Sequence, residues 1–434
     1  MDKFKQLRNI FKGDTTIWMI FFLLCVISIT EVYSSSSILG YKTGNYWYAA
    51  FYHTALLGVG LVAMVCVLNV PCRYFKIMTP MLVPFSILIL VLVYFVGTKA
   101  NDAARWLVIF GIPLQPSEVA KGTMVLATAH ILSQLQTPNG AHPKAFKYVC
   151  ITSGILILLV FPENFSTAAL MGAVVLVMMI IGRVPMKQIG YLCSAVVLAV
   201  VVFITLVLTM GKSNDQLNND AMAKNRQYTE VVAGSAAHEE TKTVKRGGLL
   251  HRFDLWKERL TDHFNKEDVP ATEYDLDKDG QVGHANIAIA SCNFLGVGPG
   301  NSVQRDFLPL AFSDFIYAII FEEFGWMGAA FVAMLYISLL FRTGYIARQC
   351  ENAFPAYLAM GLAMMIVIQA LFNMMVAVGL APVTGQPLPL ISKGGTSSII
   401  NCIYIGVILS VSRTAKKKKV EQVANEETPK KKKE

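Results

Sequence analysis

Asp275, Asp277 and Asp279 stand on alternate residues ahead of Gly280, in the stretch EYDLDKDGQVGHANIAIA. Carboxylates this close can do three things. One can act as a general base whose proton affinity is raised by its like-charged neighbours. Two of them, Asp275 and Asp279, can hold a divalent cation such as Mg, Mn or Ca. All three can also simply form a solvated turn. The D-x-D-x-D-G order is that of a calcium EF-hand, and Val282 suits its apolar eighth position. Asn286, however, stands where a bidentate glutamate belongs.

A second set of residues is chemically notable because of where it lies. Glu31, His53, Glu118, Lys121, His130, Glu163, Glu322 and Glu323 fall in or beside long apolar runs, where ionisable groups are costly and are paired or functional. Glu118 and Lys121, in QPSEVAK, are three apart and share one helix face, so they can pair. That pair can be purely structural or can face a substrate. His130 is expected as a satisfied interior histidine, and Glu163, in the turn PENFST, at the outer surface. The stretch LAPVTGQPLPLISKGGTSS interrupts an apolar region with prolines and glycines. Irregular backbone at such depth is tolerated where it is buried in protein or lines a wet cavity. Its N–H groups and Lys393 can hold a phosphate; otherwise it is a re-entrant connection.

The elements that must carry these residues follow from composition. The 434 residues are 54% hydrophobic and 15% charged, against about a quarter charged in soluble domains. Apolar runs lie near Ile17–Val32, Tyr46–Val70, Ile77–Val96, Pro116–Leu135, Tyr148–Phe161, Ser166–Ile181, Ile189–Met210, Phe315–Leu340, Pro355–Leu380 and Ser397–Ser412. The expected fold is therefore an all-α polytopic membrane protein of about ten transmembrane helices. A large extracytoplasmic loop separates the seventh and eighth spans. The divisions are a tail over 1–16, spans over 17–210, the loop over 211–313, spans over 314–413 and a basic tail over 414–434.

Basic residues recur in every second loop, at Arg73 and Lys76, Lys144 and Lys147, Arg183 and Lys187, Arg342 and Arg348, and in both tails. The bias places both termini in the cytoplasm. The net charge of +9 rests partly on the tail, where nine of the 38 basic residues follow Ser412. That placement argues for membrane lipid as partner and against nucleic acid. The eight cysteines lie mostly in apolar runs with no C-x-x-C, which fits small core hydrophobes. Within the loop, Leu249–Phe264 has apolar residues at helical spacing and can lie along the membrane surface.

Several motifs together resemble one family. Arg105 and Trp106 followed by QPSEVAK, then GVGPGNSVQRDFLP and SDFIYAIIFEEFGWMG over Gly296–Gly328, then PVTGQPLPLISKGGTSS over Pro382–Ser398, occur in the order of the SEDS proteins of shape, elongation, division and sporulation. The GNSVQ stretch is more similar to the cell-division branch, FtsW, than to the rod-shape branch, RodA. The resemblance covers nearly the whole chain. It implies a glycosyltransferase of the cytoplasmic (inner) membrane that polymerises lipid II into peptidoglycan strands, with undecaprenyl pyrophosphate as leaving group. The implied partners are a class B penicillin-binding transpeptidase and other division proteins.

The family also requires an outer-loop aspartate in a pattern like D-P-x-G-x-G-Y-Q. DKDG at Asp277–Gly280 matches D-x-x-G but lacks G-Y-Q. Counting back from GNS instead aligns Gln281 with the family glutamine and puts the aspartate near Tyr274 or Asp275. The role therefore passes to Asp277 or Asp275, with Gln281 beside it. The resemblance further implies that Arg105, Trp106, Glu118, Lys121, Ser392 and Ser397 bind substrate, and Lys393 joins them by its charge alone. Lys393 stands where the family usually has tyrosine, and Glu163 where it has aspartate.

The reaction joins a sugar hydroxyl to an anomeric carbon bearing a lipid pyrophosphate. It needs one carboxylate base and a stabiliser for the departing charge. Two other functions remain compatible with buried charges and broken helices: a lipid II flippase and a scaffold that activates the transpeptidase. A flippase needs no base on the product side, so the outer carboxylates separate it from a polymerase.

Overall fold

The computed structural model describes residues 12–35, 46–100, 103–109, 112–210, 256–257, 261, 280–308 and 311–427. Ten long helices dominate. They are α1 (Thr15–Ser35), α2 (Tyr46–Asn69), α3 (Cys72–Val96), α4 (Pro116–Gln134), α5 (Pro143–Val160), α6 (Phe165–Ile181), α7 (Met186–Met210), α9 (Ile316–Arg348), α10 (Ala353–Ala377) and α11 (Thr396–Glu427). A short helix, α8 (Gly280–Ala290), precedes α9. Eight of the long helices are both long and apolar enough to cross a membrane. The two others fall short for clear reasons: α4 carries Ser117, Glu118, Lys121, Thr123 and Thr128 on buried positions, and α6 has only 17 residues. Large apolar side chains such as Phe51, Phe95, Leu158 and Phe341 are mostly exposed. Such surface suits hydrocarbon and not water. The chain is a helical multi-span membrane protein.

Two compact units are distinguished. One comprises residues 1–189, 275–380 and 384–434, the other 190–274 with 381–383. In the first, α4, α10 and α11 form the centre. Thirteen of the nineteen residues of α4 are buried. α4 packs against α3, α5 and α10, α11 packs against α2, and α1 packs against α9. Small residues permit the closest of these approaches. A Cβ at Gly406 would come within 2.8 Å of the Met64 carbonyl oxygen, and one at Gly60 within 2.7 Å of the Cys402 sulfur. In the second unit, Trp256 packs edge-on against Phe203 of α7 at 5.2 Å. The rest of the amphipathic stretch at Leu249–Phe264 lies outside the described residues.

The connection between α3 and α4 is not a plain loop. Strands β1 (Thr98–Ala100), β2 (Ala103–Ile109) and β3 (Ile112–Leu114) pair antiparallel in that order. The apolar run WLVI, with β-branched Val108 and Ile109, supports β2, and Leu107 buries against Ile89 and Val93 of α3. Two-residue strands β4 (Gln136–Thr137) and β5 (Gly140–Ala141) close the turn from α4 to α5. All eight cysteines are free thiols, and Cys72 and Cys402 are buried.

The eighth apolar run also differs from a simple span. α9 is broken at Gly325, with φ 67° and ψ −169°, a conformation nearly confined to glycine. The break cuts the helical ladder, and the chain from Asn293 to Gly298 replaces the missing partners. Val297 N–H donates to the Glu322 carbonyl at 3.0 Å, Gly298 N–H to that of Glu323 at 2.9 Å, and Met327 N–H to that of Phe294 at 3.3 Å. A Cβ at Gly296 would overlap the Glu323 carbonyl, and one at Gly325 the Asn293 carbonyl. The stretches GVGPG and EEFG are thus one backbone-to-backbone joint.

Candidate active site

The segment between α10 and α11 enters the protein interior. Gln386, Leu388, Leu390, Ile391 and Ser392 are buried, and Leu390 has φ 67°. Pro382, Pro387 and Pro389 supply no N–H, so the main need of this segment is donors for its carbonyls. Surrounding helices provide them. Asn373 Nδ2 donates to the Gln386 carbonyl at 2.7 Å, and Gln369 Nε2 to that of Pro387 at 3.0 Å. Tyr336 OH donates to the Pro389 carbonyl, and Ser28 Oγ to that of Ile391 at 2.7 Å. His53 Nε2 lies 2.7 Å from the same Ser28 Oγ. Side chains of α1, α9 and α10 thereby fix an irregular backbone where water is scarce.

Glu118 and Lys121 adjoin this web. Lys121 Nζ lies 2.8 Å from Glu118 Oε1, with the two side chains 0% and 3% exposed. It also donates to Gln369 Oε1 at 2.7 Å. Gln369 therefore links the ion pair directly to the Pro387 carbonyl. Tyr404 OH of α11 donates to the Glu118 carbonyl at 2.5 Å, while Glu118 Oε2 has no hydrogen-bond partner among the described residues. The pair forms because Pro116 starts the helix at its first position and puts both charges in the first turns. Gln386 Nε2 extends the web to Asn164 Oδ1 at 3.1 Å and Thr167 Oγ1 at 2.8 Å. Asn164 also caps α6 through Thr167 N–H. The neighbouring Glu163 is buried, not at the surface.

The N–H nest expected around Lys393 is largely occupied by protein oxygens. Leu388 N–H donates to Ser392 Oγ at 2.8 Å, Ser392 N–H to the Leu388 carbonyl and Lys393 N–H to the Phe312 carbonyl, both at 2.9 Å. Ser392 Oγ in turn donates to the Ser313 carbonyl at 2.6 Å. Ser397 is buried, with its N–H on the Gly394 carbonyl. The Lys393 Nζ lies 4.9 Å from the ring centre of Phe312, beside this segment. Trp106 is half-buried on β2, and β3 is tied to the same segment by Thr396 Oγ1 on the Pro113 carbonyl at 2.9 Å. The Arg105 side chain lies outside what is described.

Asp275, Asp277 and Asp279 also lie outside the described residues, but the element that follows them does not. α8 begins at Gly280, one residue after Asp279. Helical backbone from that point draws the Gln281 carbonyl into the helix's own bonding, where an EF-hand would use it as the seventh-position ligand. That form of calcium site does not fit; a cation held by carboxylates alone is unaffected. Among the described residues no group of three His, Cys, Asp or Glu side chains could hold a metal.

Gln281 is half-buried on α8. His284, one turn on, stacks on Phe307 at 5.4 Å and lies 2.8 Å from Gln304 Oε1. The Glu322 carboxylate anchors this frame. It accepts from Ser302 Oγ at 2.5 Å and from Val303 N–H at 2.9 Å. Arg305 reaches across to α1, donating to Ser34 Oγ at 3.0 Å, 4.0 Å from Glu323 Oε1. Ser34 Oγ donates to that Glu323 oxygen. Glu31 is fully buried, and neither carboxyl oxygen has a hydrogen-bond partner among the described residues.

The structure thus joins Glu118, Lys121 and the segment carrying Ser392 and Lys393 into one polar interior. It places Gln281 in a second frame, built on Glu322. Gln369, Asn373, Gln386, Tyr336 and Arg305 were not singled out from the sequence. The signal for two of them was present: Gln369 and Asn373 are amides four apart, on one face of an otherwise apolar helix.

Residues 14–233 and 243–417 match the cell cycle protein family FTSW_RODA_SPOVE. A probable peptidoglycan glycosyltransferase FtsW of Halomonas elongata is 28% identical over 403 residues, covering 91% of this chain and 87% of its own length. A chain from a peptidoglycan synthase complex, described as coordinating polymerization and crosslinking, superposes with a TM-score of 0.64. It has 21% identity and covers 93% of this chain and 98% of its own. The rod shape determining protein RodA of Thermus thermophilus superposes with a TM-score of 0.60 at 19% identity, over 93% of this chain and 98% of its own.

Proposed function

Because the chain belongs to the FtsW, RodA and SpoVE family of cell cycle proteins, as a SEDS-type peptidoglycan glycosyltransferase, we propose how its residues divide the work of polymerising lipid II. Relatives bearing the FtsW name favour the division branch. A division role brings the chain together with other division proteins, among them a class B penicillin-binding transpeptidase.

All ten long helices are spans. α4 is packed between α3, α5 and α10, with Ser117, Glu118, Lys121, Thr123 and Thr128 buried in protein, and α6 is shorter but wholly apolar after Thr167. Ten crossings put both termini on one side. The basic loops make that side the cytoplasm, in the inner membrane, and leave the aspartate loop outside between the seventh and eighth spans.

Asp277, or Asp275 in the alternative alignment, takes the proton from the acceptor sugar hydroxyl as it attacks the anomeric carbon. Undecaprenyl pyrophosphate leaves from the opposite face. The base need not form a covalent intermediate, since a single displacement inverts the anomeric centre. Lys393, Arg105 and the first turn of α11 attract the pyrophosphate. Trp106, Gln281, Ser392 and Ser397 shape the surrounding walls. Glu118 and Lys121 set the position of the re-entrant segment through Gln369, and so act on substrate binding from behind it. A divalent cation on Asp275 and Asp279 would neutralise charge on the leaving group.

The observation that carries this reading is the fixed re-entrant segment: an irregular backbone held by donors from three helices beside a buried ion pair. A mere connection needs no such framework. The test measures strand synthesis from purified lipid II at varied substrate and metal concentration, for wild type and for Asp277→Asn, Asp275→Asn and Lys393→Gln. Loss of the base, Asp277→Asn, should lower turnover and should not be rescued by metal, Asp275→Asn should raise the metal concentration needed if Asp275 is a cation ligand, and Lys393→Gln should raise the substrate concentration needed. Full activity in excess chelator rejects the cation, and unchanged behaviour of Lys393→Gln removes that residue from the site.

A further inference from the structure

A groove of about 420 Å³ lies between α3, α4 and α5, away from the re-entrant segment. Its volume falls within the range of about 300–1,000 Å³ typical of ligand sites. Two features make it. Pro80 and Pro84 in α3 lack N–H groups and disturb the helix along one row. In addition, the threonine hydroxyls on its walls are satisfied by their own helices: Thr79 Oγ1 donates to the Phe75 carbonyl at 2.9 Å, and Thr152 Oγ1 to that of Tyr148 at 2.8 Å. The walls are therefore apolar although threonines line them.

The polar lining is at one end. Gln134 is the last residue of α4, and His130 lies one turn before it. Lys76 precedes Thr79, Pro80 and Val83 by three, four and seven residues, and so stands on the groove face of α3. Lys144 precedes Tyr148 and Thr152 by four and eight residues on α5. Both lysines lie in the first turns of their helices, within a turn of the nearest lining residues Thr79 and Tyr148, and Lys144 is exposed. From the start of α3, the lining residues Thr79 to Pro84 span a depth on the order of 10–18 Å. That is about half of a hydrocarbon core roughly 30 Å thick.

We propose that this groove binds one anionic phospholipid of the leaflet on the basic side. One acyl chain lies along α3, α4 and α5, and the phosphate sits between Lys76 and Lys144 near Gln134. The occupant is a lipid because the walls are apolar and the depth is that of one leaflet. It is anionic because the two side chains flanking the mouth are cationic.

The full-length protein in neutral detergent would be offered phosphatidylglycerol or phosphatidylcholine of equal chain length, with retained lipids counted by native mass spectrometry. Wild type should retain one phosphatidylglycerol with a preference of about fivefold per lysine. Val83→Trp and Thr152→Phe fill the groove from half-exposed positions, and each should lose that lipid; if one fails to fold, the other decides. Lys76→Gln with Lys144→Gln should bring retention down to the phosphatidylcholine level. Undiminished retention in the filled variants, or an unchanged preference in the double variant, overturns the proposal. So does displacement of phosphatidylglycerol by equimolar undecaprenyl phosphate, which would make the groove an isoprenoid site.

Discussion

Lys121 shows what a single buried charge demands. It is fully enclosed, and its two partners, Glu118 and Gln369, sit on α4 and α10. Lys121→Ala leaves the Glu118 carboxylate unpaired in the interior, at a cost of about 3–5 kcal/mol. The expected outcome is a large drop in thermal stability together with weakened lipid II binding. Reversing the pair, Glu118→Lys with Lys121→Glu, should recover part of the stability. A melting temperature for Lys121→Ala equal to wild type would show that the pair is not as enclosed as described. The pair itself was legible in QPSEVAK because three-residue spacing puts both charges on one helix face. Its link to Gln369 was not, because nothing local relates positions so far apart in the chain.

Asp14 acts at the same scale, just ahead of α1. Its carboxylate caps α1 through Thr16 and Ile17 N–H groups and makes a bidentate contact with Arg342, Nη2 to Oδ2 at 2.7 Å. Burial alone would raise its pKa, but the Arg342 hydrogen bond and charge, with the two amides, hold it below the ordinary value. A depressed carboxyl contributes stability that is full above the unfolded value near about 3.9 and is lost as pH falls through the folded value. Asp14→Asn should therefore melt below wild type near neutral pH, and the difference should shrink as pH falls below about 4. The neutral-pH loss is about 1 kcal/mol or less, since the pair is partly solvated. A difference that stays constant across that range would show that the charge contributes nothing.

At the scale of elements, the joint between Asn293–Gly298 and the break in α9 is the least forgiving part of the fold. Gly325 has a backbone conformation closed to other residues, and a side chain there meets backbone from the outer loop. Gly325→Ala should cost about 2–5 kcal/mol, combining unfavourable dihedrals with overlap. Because the joint carries α8, activity should fall further than stability. Activity that merely tracked the folded fraction would separate the joint from the catalytic loop. The helices themselves were readable from hydropathy, and all ten expected runs correspond to helices. The break was not readable, since glycine in an apolar span is ordinary. Nor was the small sheet between α3 and α4, because strands that short are fixed by packing such as that of Leu107 and not by local preference. The re-entrant segment was visible as an anomaly of prolines and glycines, but which side chains satisfy it depended on the packing of distant helices.

For the whole molecule, the account rests on an interior built to position a lipid-linked sugar against an outer carboxylate. The apolar exterior, the enclosed α4 and the fixed re-entrant backbone give a membrane-embedded frame. The similarity over nearly the full chain to peptidoglycan glycosyltransferases agrees with that frame, with an aspartate of the outer loop proposed as the base. The most direct measurement is strand synthesis from purified lipid II by this protein, with and without its cognate transpeptidase, for wild type, Asp277→Asn and Asp275→Asn. The account predicts glycan strands from wild type, and their loss in at least one aspartate variant that still folds and still binds the transpeptidase. Wild-type yields of strands from both aspartate variants would contradict it.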